Sequence, residues 1–325
     1  MRFTPAPFLK NGHLQTIFPT LFKNVKKLKV EREIFELDDG DFVECIWHKK
    51  PTVNSRQPII ILFHGLAGSF NSPYIQRAMD RFERVGYSVV LMHFRGCSDL
   101  PNRLPRSYHS GDTADARSWI SYLKTKYPDN PLISIGYSLG GNMLLKLLGE
   151  WGKNSPLLLA AAISAPMQLE SSANAINKGF SKLYQYRLMY SLKKQLDEKY
   201  NRFDMESLIG LSREEISKLS TFWEFDEAYT APVHGFKDAK DYYKRSSSKQ
   251  FLKDIRTKTL IIHAKDDPFM NDEVIPKRSE LSNNIQLELY DHGGHVGFVS
   301  GSLLSFEYWL EDRILEFITD IRHLS

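Results

Sequence analysis

The chain has 325 residues, 42% of them hydrophobic and 25% charged, an ordinary globular composition with enough apolar material for a sizeable core. A formal charge of +4 is too mild for nucleic-acid binding, where a concentrated basic stripe is expected, so no nucleic-acid partner is expected. Two cysteines, Cys45 and Cys97, make no disulfide framework, and the lack of repeats or low-complexity tracts excludes a solenoid or a disordered chain.

The opening residues, Met1-Arg2-Phe3-Thr4-Pro5, lack the apolar run of a signal peptide. The longest apolar stretch, residues 157–163, falls far short of the roughly 20 residues a spanning helix needs. A cytoplasmic location with at most peripheral membrane contact is therefore expected. The basic run from Lys23 to Lys29 is broken by Asn24, Val25 and Leu28 and reads as a solvated turn, with membrane-surface contact as the lesser reading. Residues 30–37 and 42–47 read as strands joined by Asp38-Asp39-Gly40-Asp41, a hairpin signal. Residues 58–63 form a continuous apolar run, as in a parallel-sheet strand covered on both faces. A helix over 74–85 follows, with Gly86 beyond its end.

The unit then repeats. A strand over 87–94 leads to a helix over 112–126 with Asp112 as candidate N-cap, and a strand over 132–137 leads to a helix from Gly141. A further strand over 157–164 stops at Pro166. Alternation of this kind predicts a doubly wound, mostly parallel α/β sheet. From about 167 to 250 no buried-strand pattern occurs, and helices are predicted over 180–200, 206–220 and 236–243. Strands over 259–263 and 285–290 and a last helix over 302–322 complete the pattern. The simplest organisation is one domain over 1–325 with 167–250 as an inserted helical cap above the carboxyl ends of the strands, where such sheets bind ligands.

The chemistry gathers in the loops after those strands. Gly136-Tyr137-Ser138-Leu139-Gly140 is a Gly-x-Ser-x-Gly motif on a strand-to-helix turn, which makes Ser138 the candidate nucleophile. A serine hydroxyl needs a base, and His295, in the loop His292-Gly293-Gly294-His295-Val296-Gly297-Phe298, is favoured over His292 because paired glycines permit the loop to aim it inward. A metal pair from these two histidines lacks a third ligand and is not expected. Asp266 and Asp267 both follow the strand over 259–263, and Asp267, one residue before Pro268, is the preferred orienting acid. The oxyanion donors are expected to be the backbone N–H of Leu139 and that of Leu66, in His64-Gly65-Leu66-Ala67-Gly68. His64 reads as a packing residue. The absence of Walker A, dinucleotide and Cys-x-x-Cys motifs means that no cofactor or metal is expected.

At this point the chain resembles the YheT-like branch of the α/β-hydrolases. The resemblance rests on Asn11-Gly12-His13-Leu14-Gln15-Thr16, His64-Gly65-Leu66-Ala67-Gly68, Phe94-Arg95-Gly96-Cys97-Ser98 and Tyr108-His109-Ser110-Gly111. It continues through Gly136 to Gly141, Tyr229-Thr230-Ala231-Pro232, Asp266-Asp267-Pro268 and Gly293 to Phe298. It implies carboxylic-ester hydrolysis without a cofactor, on the triad Ser138, Asp267 and His295. The N-terminal membrane-anchoring segment of eukaryotic members has no counterpart in these residues, so their integral-membrane location and phospholipid specificity are not carried over. The motif over 11–16 is expected to be a packing segment. Six aromatics, Phe180, Tyr184, Tyr186, Phe222, Trp223 and Phe225, suggest an apolar acyl site within the cap. A small-molecule acyl ester is the expected partner, and the oligomeric state is not legible.

Overall fold

The computed structural model describes residues 2–22, 27–52, 54–302 and 305–322. Of the basic run, residues 23–26 lie outside the described residues. One eight-stranded sheet runs in the order β1 (Glu31–Glu36), β2 (Phe42–Lys49), β4 (Ser88–Met92), β3 (Ile59–Phe63), β5 (Leu132–Tyr137), β6 (Leu157–Ile163), β7 (Lys258–Ala264) and β8 (Ile285–Tyr290). Strands β4, β3, β5, β6, β7 and β8 pair in parallel, while β1 and β2 form an antiparallel hairpin at one edge.

The reason for this arrangement is visible in β3. All five of its side chains are fully buried, Ile59, Ile61 and Phe63 in one core and Ile60 and Leu62 in the other. Burial on both faces is worth about 1.5–3 kcal/mol for each such side chain, which a sheet collects only if helices cover both sides. After α1 (Gly12–Leu21), helices α2 (Pro73–Arg84), α3 (Ala114–Lys126) and α4 (Leu139–Trp151) provide most of that cover. Trp119 of α3 and Met143 of α4 share the first core, and Ile75 and Phe82 of α2 share the second.

Between β6 and β7 the chain forms only helices: α5 (Leu169–Ile176), α6 (Ser181–Tyr200), α7 (Met205–Ile209), α8 (Arg213–Lys218), α9 (Phe222–Phe225), α10 (Ala231–Val233) and α11 (Ala239–Ser246), with short non-α turns. After β8 come the hairpin β9 (Val299–Ser302) and β10 (Ser305–Tyr308), then α12 (Trp309–Arg322), which covers the same core as α2. Among the described residues no helix is long and apolar enough to cross a membrane.

Five local expectations are corrected. The helix expected over 206–220 is broken into α7 and α8, because Gly210 takes a left-handed φ of +74° and Ser212 and Glu215 form a capping box that starts a new helix. The last helix begins at Trp309 rather than at 302, since Ser305 to Tyr308 pair with Val299 to Ser302 as a strand. Asp112 does not cap α3; its carboxylate binds Arg106 at 2.6 Å, and Thr113 stands at the cap position. The third cap helix starts at Ala239, where Asp238 accepts the N–H of Asp241 at 2.7 Å, instead of at 236. Finally, residues 12–21 are helical although no helix was expected there. Asn11 caps α1 by accepting the N–H groups of His13 and Leu14 at 2.9 and 3.3 Å.

Candidate active site

Ser138 stands between β5 and α4 with φ 52° and ψ −119°. A side chain held in that region costs about 1–3 kcal/mol and persists only where the surroundings impose it. Here the backbone has no other path. Ser138 N–H donates to Ile163 O at 2.8 Å, and its own carbonyl accepts from Asn142 N–H at 3.0 Å. A Cβ on Gly136 would stand 2.4 Å from Gly140 O, and one on Gly140 would stand 2.5 Å from His64 O. The two flanking glycines are there because backbone touches backbone at both ends of the turn.

The loops after β7 and β8 bring the expected partners to this serine. His295 Nε2 lies 2.9 Å from Ser138 Oγ, and His295 Nδ1 lies 2.8 Å from Asp267 Oδ2. Asp267 is 3% exposed, and its other oxygen accepts Phe269 N–H at 2.9 Å. The Phe269 ring stacks on the imidazole at 4.0 Å between centroids. Asp266 points elsewhere. It accepts Gly294 N–H at 2.9 Å and faces His292 at 3.5 Å, so it holds the histidine loop by its backbone while Asp267 holds the ring. Burial raises the Asp266 carboxyl pKa. Both nitrogens of His295 are thus engaged, one by Ser138 and one by Asp267.

The segment over 11–16 does more than pack. Thr16 Oγ1 accepts the backbone N–H of His295 at 2.8 Å and donates to Gly12 O at 2.7 Å. Gln15 is fully buried; its amide donates to Leu9 O and Val299 O and accepts Val299 N–H, at 2.7, 3.0 and 2.7 Å. Helix α1 is thus clamped against the loop that carries His295. Sequence reasoning missed this because the partners are 279 residues apart and no spacing rule links them.

Leu139 is the first residue of α4, so its N–H is among those left without a partner in their own helix. In the loop after β3, Gly65 N–H donates to Tyr74 Oη, Ala67 N–H to Tyr108 Oη and Gly68 N–H to Gly65 O, at 2.8, 2.8 and 3.0 Å. Leu66 N–H donates to no acceptor among the described residues. Tyr108 stacks on Phe94, so two motifs that had no assigned chemistry support this loop from behind. His64 is fully buried, with Nδ1 against Gly65 O at 2.7 Å and Nε2 accepting Phe94 N–H at 3.2 Å. Burial, and then the neighbouring His93, push its pKa down to about 3, which keeps it neutral as a packing residue.

Ser138, His295, Leu66 and Leu139 all line one cavity of about 710 Å³. Its remaining wall is largely apolar and includes Ile17 and Leu21 of α1, Ile176 of α5, and Leu183, Leu188 and Leu192 of α6. Of the six aromatics expected around it, Tyr184, Phe222 and Phe225 line it. Phe180 and Tyr186 are exposed, and Trp223 donates its indole N–H to Asn174.

Residues 58–302 match the family described as the alpha/beta hydrolase fold. Over 317 residues the chain is 42% identical to YheT of Escherichia coli (strain K12), a protein named as an esterase, covering 98% of this chain and 93% of that one. It is 26% identical over 306 residues to the human phospholipase ABHD3, covering 92% of this chain and 74% of the relative. Among solved structures, the Pyrococcus furiosus esterase Pf2001 superposes with a TM-score of 0.56 at 15% identity over 98% of this chain and 99% of that one, a likeness of fold. The chain belongs to the α/β-hydrolase family, within the esterase- and lipase-type hydrolases around YheT.

Proposed function

We propose that this protein is a serine carboxylic-ester hydrolase that works through an acyl-enzyme on Ser138 and takes small to medium-chain acyl or lipid-like esters. One observation carries the reading: the unbroken hydrogen-bonded line Ser138–His295–Asp267, with distances of 2.9 and 2.8 Å, opens into an apolar cavity. In this mechanism His295 Nε2 takes the hydroxyl proton as Ser138 Oγ attacks the ester carbonyl. Asp267 keeps the proton of Nδ1 in place and stabilises the imidazolium without itself becoming protonated. The N–H groups of Leu66 and Leu139 receive the oxyanion, a contribution worth roughly 10²–10³ in rate per donor. His295 then protonates the departing alcohol, and water, deprotonated by the same nitrogen, hydrolyses the acyl-enzyme. None of these steps calls for a cofactor.

Residues 167–250 serve as the cap in this reading. Their support is that α5, α6 and α9 supply cavity wall beside α1 and the loops after the strands. Helix α6 is tied to the body at its far end, where the buried Lys199 ammonium donates to Asn102 Oδ1, Leu104 O and Arg106 O at 2.8, 3.0 and 3.2 Å. A cavity of this size fits one acyl chain of moderate length. Each methylene buried there is worth about 0.8 kcal/mol, or up to roughly fourfold in kcat/KM. The names of the phospholipase and esterase relatives accord with a lipid-like ester. A series of aryl esters with lengthening acyl chains, run beside monoacylglycerols, phospholipids and peptide amides, tests the reading. Rising kcat/KM up to a cut-off is expected. Inert esters beside cleaved amides would replace it with an amidase on the same residues.

A further inference from the structure

Helix α6 presents apolar side chains on two opposite faces. Met189, Leu192 and Leu196 are buried in a cluster with Met205, Ile216, Phe225 and Tyr229. On the outer side, where polar residues are the rule, stand Leu183, Tyr186 and Tyr190, with Phe180 just before the helix, and these are 57, 70, 65 and 54% exposed. Helix α1 repeats the pattern with Leu14 and Leu21 exposed, followed by Phe22. Seven of the sixteen strongly exposed large hydrophobic side chains among the described residues belong to these two segments. Scattered singly they would need no account; gathered like this they do.

The two helices meet at His13, whose ring packs on Phe180 and Tyr184. Leu21 of α1 and Leu183 of α6 both line the cavity while being largely open to solvent, which marks the place where the cavity opens. The apolar outer faces therefore frame its mouth. Charge is equally one-sided. Residues 171–196 contain five Lys and Arg and no Asp or Glu, the acids of α6, Asp197 and Glu198, standing only at its far end, while α1 itself carries no charged residue, in a chain whose formal charge is only +4. Lys178, Lys182, Arg187 and Lys194 stand exposed along or just before α6. Exposed Tyr, Leu and Phe interleaved with Lys and Arg, without acids, is the chemistry that inserts shallowly into a headgroup layer and is held by anionic lipid.

We propose that the face formed by α1 and α6 docks on an anionic lipid bilayer and sets the cavity mouth against the membrane surface. The binding does not require turnover at Ser138, so it stands or falls separately from the hydrolase reading.

Sedimentation of the full chain, wild type and Ser138→Ala, with vesicles of phosphatidylcholine alone and of phosphatidylcholine mixed with phosphatidylglycerol tests it. Both proteins should partition onto the mixed vesicles, much less onto the neutral ones, and less again as salt is raised. The pairs Tyr186→Ser/Tyr190→Ser and Lys182→Glu/Lys194→Glu should each reduce partition onto mixed vesicles by roughly tenfold. Neither pair touches the cavity wall, so thermal unfolding and hydrolysis of a water-soluble short-chain aryl ester should stay at wild-type level. Equal partition onto both vesicles, no partition at all, or partition indifferent to both pairs would overturn the proposal. So would concentration-dependent self-association in lipid-free buffer that the tyrosine pair abolishes, which would assign the face to a second copy of the chain.

Discussion

Replacing Thr16 by Val tests whether α1 positions the catalytic loop. Valine keeps the β-branched shape, so helix and packing are little disturbed, but it removes the oxygen that accepts His295 N–H at 2.8 Å and donates to Gly12 O at 2.7 Å. Leaving a partly buried N–H without its acceptor costs up to about 1–3 kcal/mol. Carried into misplacement of the imidazole, at about 1.36 kcal/mol per decade, this lowers kcat/KM by about 5- to 150-fold. Steady-state kinetics on an aryl ester should show the loss in kcat with KM nearly unchanged, and Thr16→Ser should restore it. A Thr16→Val enzyme with wild-type kcat and lowered thermal stability would reduce Thr16 to a packing residue. A Thr16→Ser enzyme as impaired as the valine variant would refute the hydrogen-bond argument itself.

The two adjacent aspartates should separate cleanly. Asp267→Asn, which upsets the proton held on His295 Nδ1, is expected to lower kcat by about 10³–10⁴, whereas Asp266→Asn can still accept Gly294 N–H and should cost roughly tenfold or less. Equal losses in the same ester assay would contradict these roles. Stability should fall in acid. Burial holds His64 and His93 near pKa values of about 3 and about 4, below the roughly 6.5 of the unfolded chain. As pH drops below about 6.5 the unfolded chain takes up protons that the folded one refuses, so each histidine withdraws about 1.4 kcal/mol per unit. Asp226, whose carboxyl burial pushes up to about 6, works in the opposite sense between about pH 4 and 6 and cancels one of them. Urea midpoints should therefore decline between about pH 6.5 and 4, and a flat or rising stability there would be inconsistent with these buried groups.

Much of the fold was legible because it depends on local pattern. The runs in β3 and β5 are apolar at nearly every position, and only a sheet covered on both faces explains that. Ser138, His295 and Asp267 could be picked out because a glycine-flanked turn, a glycine-rich loop and an acid after a strand each leave a short signature, and the structure brings the three side chains into contact. What escaped notice depends on distant partners or on competing local signals. Gly210 followed by Ser212 and Glu215 was a visible helix break inside an otherwise periodic stretch. The hairpin over β9 and β10 precedes an amphipathic helix closely enough to be absorbed into it. Helix α1 carries Pro19 within it, a local signal against a helix that masks the signal for one from Asn11 at its cap. No reading of residues 11–16 alone could show that Thr16 holds His295, because that bond exists only once β8 has placed the loop beside α1.

The central claim is that Ser138 is the nucleophile. Incubating the folded wild type with a fluorophosphonate and mapping the adduct by mass spectrometry tests it most directly. A single adduct on the peptide containing Ser138, absent from Ser138→Ala and strongly slowed in His295→Ala, is the predicted result. No labelling of the folded protein, or labelling that survives Ser138→Ala, would contradict it.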